Sequence, residues 1–366
     1  MIRRTLLLTT FALLALASAA SAHGPKVIAS GLDNPRGIDL DPSTGALYVA
    51  EAGRGGPGPC IPGGEGEACL GPTGAITRIA HGHQRAVVRG LPSVAGEGGA
   101  GASGPQDVDV KLLGFGSFVT GLGADPAARD ELGSAGAGLA SLFHFTPFGR
   151  AYKRADLGTF EATADPDKDQ PGTEGPNTNP TSVLNERRGN VAVDAGGNDL
   201  LRVGLGGQVS TIAVFPNRFI NAPPLPPGVD FPMQPVPTAV AKGPDGAYYV
   251  SQLTGFPFPV DGASIFRVVP GHEPQVYASD LTNVTDLAFG RDGSLYVVQI
   301  SKIGLANEPP TEPDSSGNVI QIPRKGKRRV IADLPTPYGI ALGRRGEVYV
   351  TTHSASAGAG EVVRIG

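Results

Sequence analysis

A four-strand pattern occurs six times in this chain, and one strand is missing from the last copy. Each copy opens with a short tetrapeptide: PRGI (35–38), PQDV (105–108), PTSV (180–183), PTAV (237–240), VTDL (284–287) and PYGI (337–340). A turn leads to a second strand, LYVAE (47–51), SFVTG (117–121), NVAVD (190–194), YYVSQ (248–252), LYVVQ (295–299) or VYVTT (348–352). A third follows, from AITRI in the first copy to EVVRI in the last. A fourth, of the type RAVVRGL or RRVIADL, closes only five copies. The sixth fourth strand lies at the other end of the chain. KVIASGL (26–32) has the required pattern and precedes the first PRGI. A ring of six four-stranded units, closed by pairing the N-terminal strand with the C-terminal one, leaves no open seam. The expected fold is therefore all-β, a six-bladed β-propeller.

Copies are spaced 70, 75, 57, 47 and 53 residues apart. Gly/Pro-rich inserts at 53–72, 93–104, 123–138, 161–178, 221–235 and 302–316 fill the longer intervals, and such composition belongs in loops. Apolar residues at helical spacing are not sustained anywhere, and the segment from Pro126 to Leu142 is a weak helix at best. The even strand spacing argues for one propeller domain over 23–366. Ahead of it, Arg3 and Arg4 precede an apolar run from Leu6 to Ala17, and Ala20-Ser21-Ala22 fits a small-residue cleavage site. This reads as a secretory signal peptide cut after Ala22, too short to span a membrane. Loss of Arg3 and Arg4 moves the net charge from −4 to −6. That sign argues against nucleic acid or an anionic membrane as partner. The expected product is a secreted monomer.

The copies resemble NHL-type propeller repeats, DAGGNDLLRV (194–203) most clearly. GLDNPRGIDLDPSTGALYVAEAG, then CIPGGEGEACLGPTGAITRI and YKRADLGTFEATADPDKDQPGTEGPNTNPTSV, resemble the ScyD/ScyE family of exported NHL-like propellers. The resemblance covers nearly the whole chain after the signal and implies a fold rather than a reaction. Where relatives tend to show Asp-Ser-Asn-Pro, this chain has Asn177-Thr178-Asn179-Pro180.

Ligands of propellers bind at the mouth of the central channel, and the repeat alignment names two rings of residues there. Arg36, Gln106, Thr181, Thr238, Thr285 and Tyr338 start the inner strands, with Asp107, Ser182 and Asp286 beside them. Glu51, Gly121, Asp194, Gln252, Gln299 and Thr352 end the second strands, with His353 next. Convergence of such groups makes a polar pocket for a small molecule, or a surface for a protein partner. Arg36 and Glu51, from one blade, can also pair with each other. Glu51, Asp107, Asp194 and Asp286 supply the oxygens a calcium ion needs, which admits a metal-assisted hydrolase, lactonase-like enzyme, lyase or isomerase as the alternative to a binding protein. Asp194 and Asp286 can instead satisfy turn amides.

Other motifs are weaker. Asp165, Asp167 and Asp169 have the spacing of an EF-hand loop, but Gln170 and Pro176 stand where Gly and Glu are required, so a solvated acidic loop is expected. His81 and His83 lack a third ligand for zinc, and His23 lacks a second His for copper. No nucleophile elbow, P-loop or dinucleotide fingerprint is present. Asn283-Val284-Thr285 fits a glycosylation triplet but falls on an inner strand. Cys60 and Cys69, the only cysteines, flank a Gly-rich loop in a chain with an export signal, and a disulfide between them is expected.

Overall fold

The computed structural model describes residues 24–63, 66–223, 225–307 and 317–366; the expected signal peptide and the expected cleavage after Ala22 lie outside them. Six four-stranded antiparallel sheets form a ring, a six-bladed β-propeller. From the axis outwards, blade 1 comprises Pro35–Leu40, Leu47–Glu51, Gly66–Ala80 and His83–Ala95. Blade 2 comprises Pro105–Leu112, Phe115–Thr120, Ser141–Phe145 and Ala151–Asp156. Blade 3 comprises Pro180–Glu186, Gly189–Asp194, Asp199–Val203 and Val209–Val214. Blade 4 comprises Pro237–Lys242, Tyr248–Gln252, Ala263–Val268 and Gln275–Leu281. Blade 5 comprises Val284–Phe289, Leu295–Gln299, Gly317–Ile322 and Arg329–Leu334. Blade 6 takes Ile340–Leu342, Val348–Thr352 and Gly360–Ile365 from the C-terminal end, and its outer strand is Lys26–Leu32. Lys26 pairs with Arg364 and Leu32 with Gly360, so the sixth fourth strand is the one expected.

The second strands are buried along their length, as in LYVAE, NVAVD and YYVSQ, because each lies inside its own sheet and between two neighbouring blades. Their β-branched and aromatic residues serve both faces. The core is accordingly divided by seam. Tyr48, Ile76, Val108 and Phe118 pack between blades 1 and 2. Val119, Leu142, Val183 and Leu201 fill the next seam. Similar clusters fill the seams around the ring, and Leu32, Ile38, Val49 and Val362 close it between blades 6 and 1.

The inserts carry more structure than their composition predicts. Cys60–Gly63 pairs with the start of the 15-residue strand Gly66–Ala80, and the Cys60–Cys69 disulfide joins directly opposed residues of that ribbon. Ile61, Leu70, Val94, Leu122, Leu132 and Leu139 form a satellite core beneath it. The helix Ala128–Gly136 lies within the weak helical segment. A second helix, Leu157–Ala164, begins where a strand residue was expected, because the Asp156 carboxylate caps it by accepting from Thr159 N at 2.9 Å. Among the described residues no helix is long and apolar enough to cross a membrane.

Two stability experiments follow. Leu32, 2% exposed in the closing strand, should cost about 2–4 kcal/mol when replaced by Ala, whereas Val27→Ala, 46% exposed, should cost under about 0.5 kcal/mol. Replacing both Cys60 and Cys69 by Ser should remove about 2–3 kcal/mol through the lost loop constraint. Urea denaturation of the three variants measures all of these.

Candidate functional site: the channel and its mouth

The inner strand of each blade is a sheet edge, and its outward N–H and C=O groups have no partner within the sheet. Side chains of neighbouring blades satisfy them. Asp39 of blade 1 accepts from Val110 N of blade 2 at 2.7 Å. Asp107 accepts from Val183 N at 2.9 Å and from Ser182 Oγ at 2.8 Å, and Asp109 accepts from Asn185 N at 2.7 Å. Ser182 Oγ accepts in turn from Val240 N at 3.3 Å. Thr238 Oγ1 donates to Val284 O, and Thr285 Oγ1 to Tyr338 O, both at 2.8 Å. Asp286 accepts from Ile340 N at 2.8 Å. Thr351 Oγ1 completes the circle by donating to Arg36 O at 2.8 Å. Every seam is bridged.

Two glycines permit this approach. A side chain at Gly37 would overlap the Asp107 carboxylate, and one at Gly339 would meet Arg36 O and the backbone of Gly37 and Ile38. The third position of PRGI and of PYGI is therefore small because three inner strands crowd there.

Of the first ring, Thr238 and Thr285 are committed to the seam bonds above. Gln106, Thr181, Thr238 and Thr285 are each at most 5% exposed, while Arg36 and Tyr338 are half-buried. The Arg36 guanidinium lies 4.8 Å from the centre of the Tyr338 ring, and its Nη2 donates to Ala102 O at 3.0 Å. Its Nε is buried without a partner, as is Thr181 Oγ1. Tyr338 lies within the fields of Arg36, Asp286 and Asp107, so groups from blades 1, 2, 5 and 6 converge.

The second ring is turned to other work. Glu51 does not pair with Arg36; it accepts from Asp33 N at 2.8 Å and from Thr77 Oγ1. Asp194 accepts from Thr178 Oγ1, Asn179 N, Gly196 N and Gly197 N, holding its turn. Gln252 accepts from Ser264 N and Gln299 from Thr282 N. Thr352 is buried with its hydroxyl unpartnered. His353 sits in left-handed backbone, half-buried, its N–H bonded to Pro335 O. Glu51, Asp194 and Gln299 thereby tie strand ends to the entry loops of their own blades, and Gln252 ties its strand to the third strand of its blade. The calcium set named from the sequence, Glu51, Asp107, Asp194 and Asp286, is correspondingly split between the channel wall and two turns. Among the described residues the compact acidic group is a different one, Glu161, Asp165 and Asp167. The stretch 165–174 is thus not a uniformly solvated loop, since Asp167 is 2% exposed and only Asp169 of the EF-hand triplet faces solvent. Asn283 is also buried, bonded to Leu253 O and Leu305 N, and offers no glycosylation site.

Two channel residues escaped the alignment, Asp39 and Asp109. Asp109 follows Asp107 at the strand period of two, and that spacing is the signal that marks it. The channel carboxyls act on one another. Burial, then the field of Asp109, raises Asp39 well above its ordinary value; burial, then Asp286, does the same to Asp107. Burial pushes Asp286 up to about 7, with Asp39 adding to the rise, and burial raises Asp109.

Beside the channel mouth, a cleft of about 770 Å³ lies between the disulfide ribbon and the turn 96–99, lined by Arg54, Glu67, Cys69, Glu97 and backbone. The segment behind this turn carries Ala102, which holds Arg36, and Gly99 O accepts from Asn34 Nδ2 at 2.9 Å. Cleft and channel share one wall.

No family model and no curated protein sequence matches the chain. Solved structures do. One described as a streptogramin B lyase superposes with a TM-score of 0.51 at 13% identity, over 93% of this chain and 97% of that one. A glucose dehydrogenase gives 0.50 at 13% identity, over 94% and 99%. A putative gluconolactonase gives 0.48 at 12% identity, over 94% and 93%. The fold is that of the six-bladed propellers. At such identities the likeness speaks for the fold and not for the chemistry at the axis.

Asp286 generates a pH prediction. Its folded form keeps a proton that the unfolded chain has lost, so stability falls as pH rises from about 4 to about 7 and levels off above that. Asp286→Asn should flatten that part of the Tm-against-pH curve. Gly37→Ala, whose methyl would overlap Asp107 Oδ1, the oxygen that accepts from Val108 N, should lower Tm at every pH; calorimetry reads both.

Proposed function

We propose that this chain is a secreted, monomeric propeller of the ScyD/ScyE type, a single domain over 23–366, that binds a small polar molecule at the loop-rich mouth of its channel. The observation that carries the reading is Arg36. Its guanidinium stacks on Tyr338 at the convergence of four blades and keeps a buried, unused Nε donor. A buried donor without a partner is costly, and a ligand acceptor relieves that cost. The surrounding Asp107 and Asp286 call for hydroxyl or amino groups on the same molecule. A polyhydroxy acid or an amino acid combines both features. The disulfide fits an oxidising compartment, in keeping with export.

A second reading, proton-transfer catalysis, has its own support. A carboxyl pushed up to about 7 beside Tyr338 suits a general acid or base near neutral pH. The streptogramin B lyase and the glucose dehydrogenase are, by their descriptions, enzymes on propellers of this fold. Under this reading Asp286→Asn abolishes turnover while leaving binding, whereas Arg36→Gln weakens both.

The test is a thermal-shift screen of the purified protein against hydroxy acids, sugar acids and amino acids. At least one compound should raise Tm by several degrees at saturation, and Arg36→Gln should remove that shift. A screen in which nothing shifts, or a shift undiminished in Arg36→Gln, sinks the proposal.

A further inference from the structure

Between blades 2 and 3 the chain gathers acidic side chains where no cation answers them. One carboxylate oxygen from each of Glu161, Asp165 and Asp167 lies within 4.8 Å of the others. Glu161 is 1% exposed and Asp167 2%. Asp199 is fully buried, within the fields of Asp194, Glu161 and Asp167. Both Asp199 oxygens lack a hydrogen-bond partner, as do Glu161 Oε1 and Asp165 Oδ1. Among the described ion pairs, none involves any of the four.

The scaffold explains how they meet. Helix Leu157–Ala164 presents Glu161, and its C-cap is Asp165 in the left-handed conformation, which turns the chain so that Asp167 comes back beside Glu161. Asn198 Nδ2 positions Asp167 by donating to Oδ2 at 2.7 Å. Gly197 leaves room for Glu161, since a side chain there would overlap its Oε2. Asp194 is not a ligand, because four donors already occupy it.

Buried carboxylates without donors or cations are strongly unfavourable. Here the unpartnered oxygens belong to the buried Glu161 and Asp199 and to the half-buried Asp165, an arrangement a cation resolves. The donors are all oxygen, which selects a hard ion over zinc or copper. We propose that Glu161, Asp165 and Asp167, faced by Asp199, hold a calcium ion between the helix Leu157–Ala164 and the turn 194–199. The ion pins the insert that enters blade 3 and is separate from the channel.

The experiment is calorimetric titration of EDTA-stripped full-length protein with calcium chloride at pH 8, with melting scans alongside. One calcium per chain and a Tm rise of roughly 4 °C or more at saturation are expected. Glu161→Gln and Asp199→Asn should each weaken calcium binding at least tenfold, and Asp107→Asn should leave it in place. Should those variants fail to fold, manganese-soaked crystals of the wild-type protein give the answer through an anomalous peak between Glu161 and Asp167. Absence of both heat and Tm shift overturns the proposal. So does binding lost with Asp107→Asn but kept with Glu161→Gln, or an anomalous peak in the channel.

Discussion

A propeller has a difficulty at its centre: six sheet edges face one narrow space, each with backbone groups that need partners. This chain meets it with side chains that reach across seams. Asp39, Asp107, Asp109 and Asp286 accept from amides of the following blade, while Thr238, Thr285 and Thr351 donate to its carbonyls. Carboxylates, and Ser182 Oγ at one seam, serve where the neighbour offers N–H, and threonine hydroxyls where it offers C=O. The apolar clusters hold the blades side by side without direction; these polar bridges set their register at the axis.

That solution determines what kind of site the channel becomes. Most of the inner polar groups are committed to structure, so the groups left for a ligand are few: Arg36 with its unused Nε, Thr181 with its free hydroxyl, and the proton-holding carboxyls. A bridge built from four neighbouring acids also brings their mutual repulsion, which raised proton affinity relieves. The same residues thus give the ring its register and give the channel its chemistry.

The architecture was legible because it rests on strand periodicity, which is local, and on a count of strands, which shows where the missing one must lie. The inner strands that carry the first ring were legible for the same reason. Direction was not. Glu51 and Asp194 end their strands at the expected level, yet they point back to Asp33 N and to the turn 196–197, and nothing in LYVAE or NVAVD shows which way a carboxylate turns. The acidic group around Glu161 was hidden for another reason. Two of its members lie in a stretch that resembles a metal loop poorly, while Glu161 belongs to a helix that AYKRADL did not announce and Asp199 comes from the next blade.

The closing strand carries a consequence for the order in which this protein is made. Lys26–Leu32 is synthesised among the first elements, but its partner Gly360–Ile365 is among the last. Until then it is an unpaired edge, open to pairing with any other extended chain. In the finished ring Lys26, Val27, Ser30 and Gly31 face solvent, Ile28 is half-buried, and Ala29 and Leu32 are buried. The ring therefore shuts late, when the sixth blade is made, by a contact between residues more than three hundred positions apart.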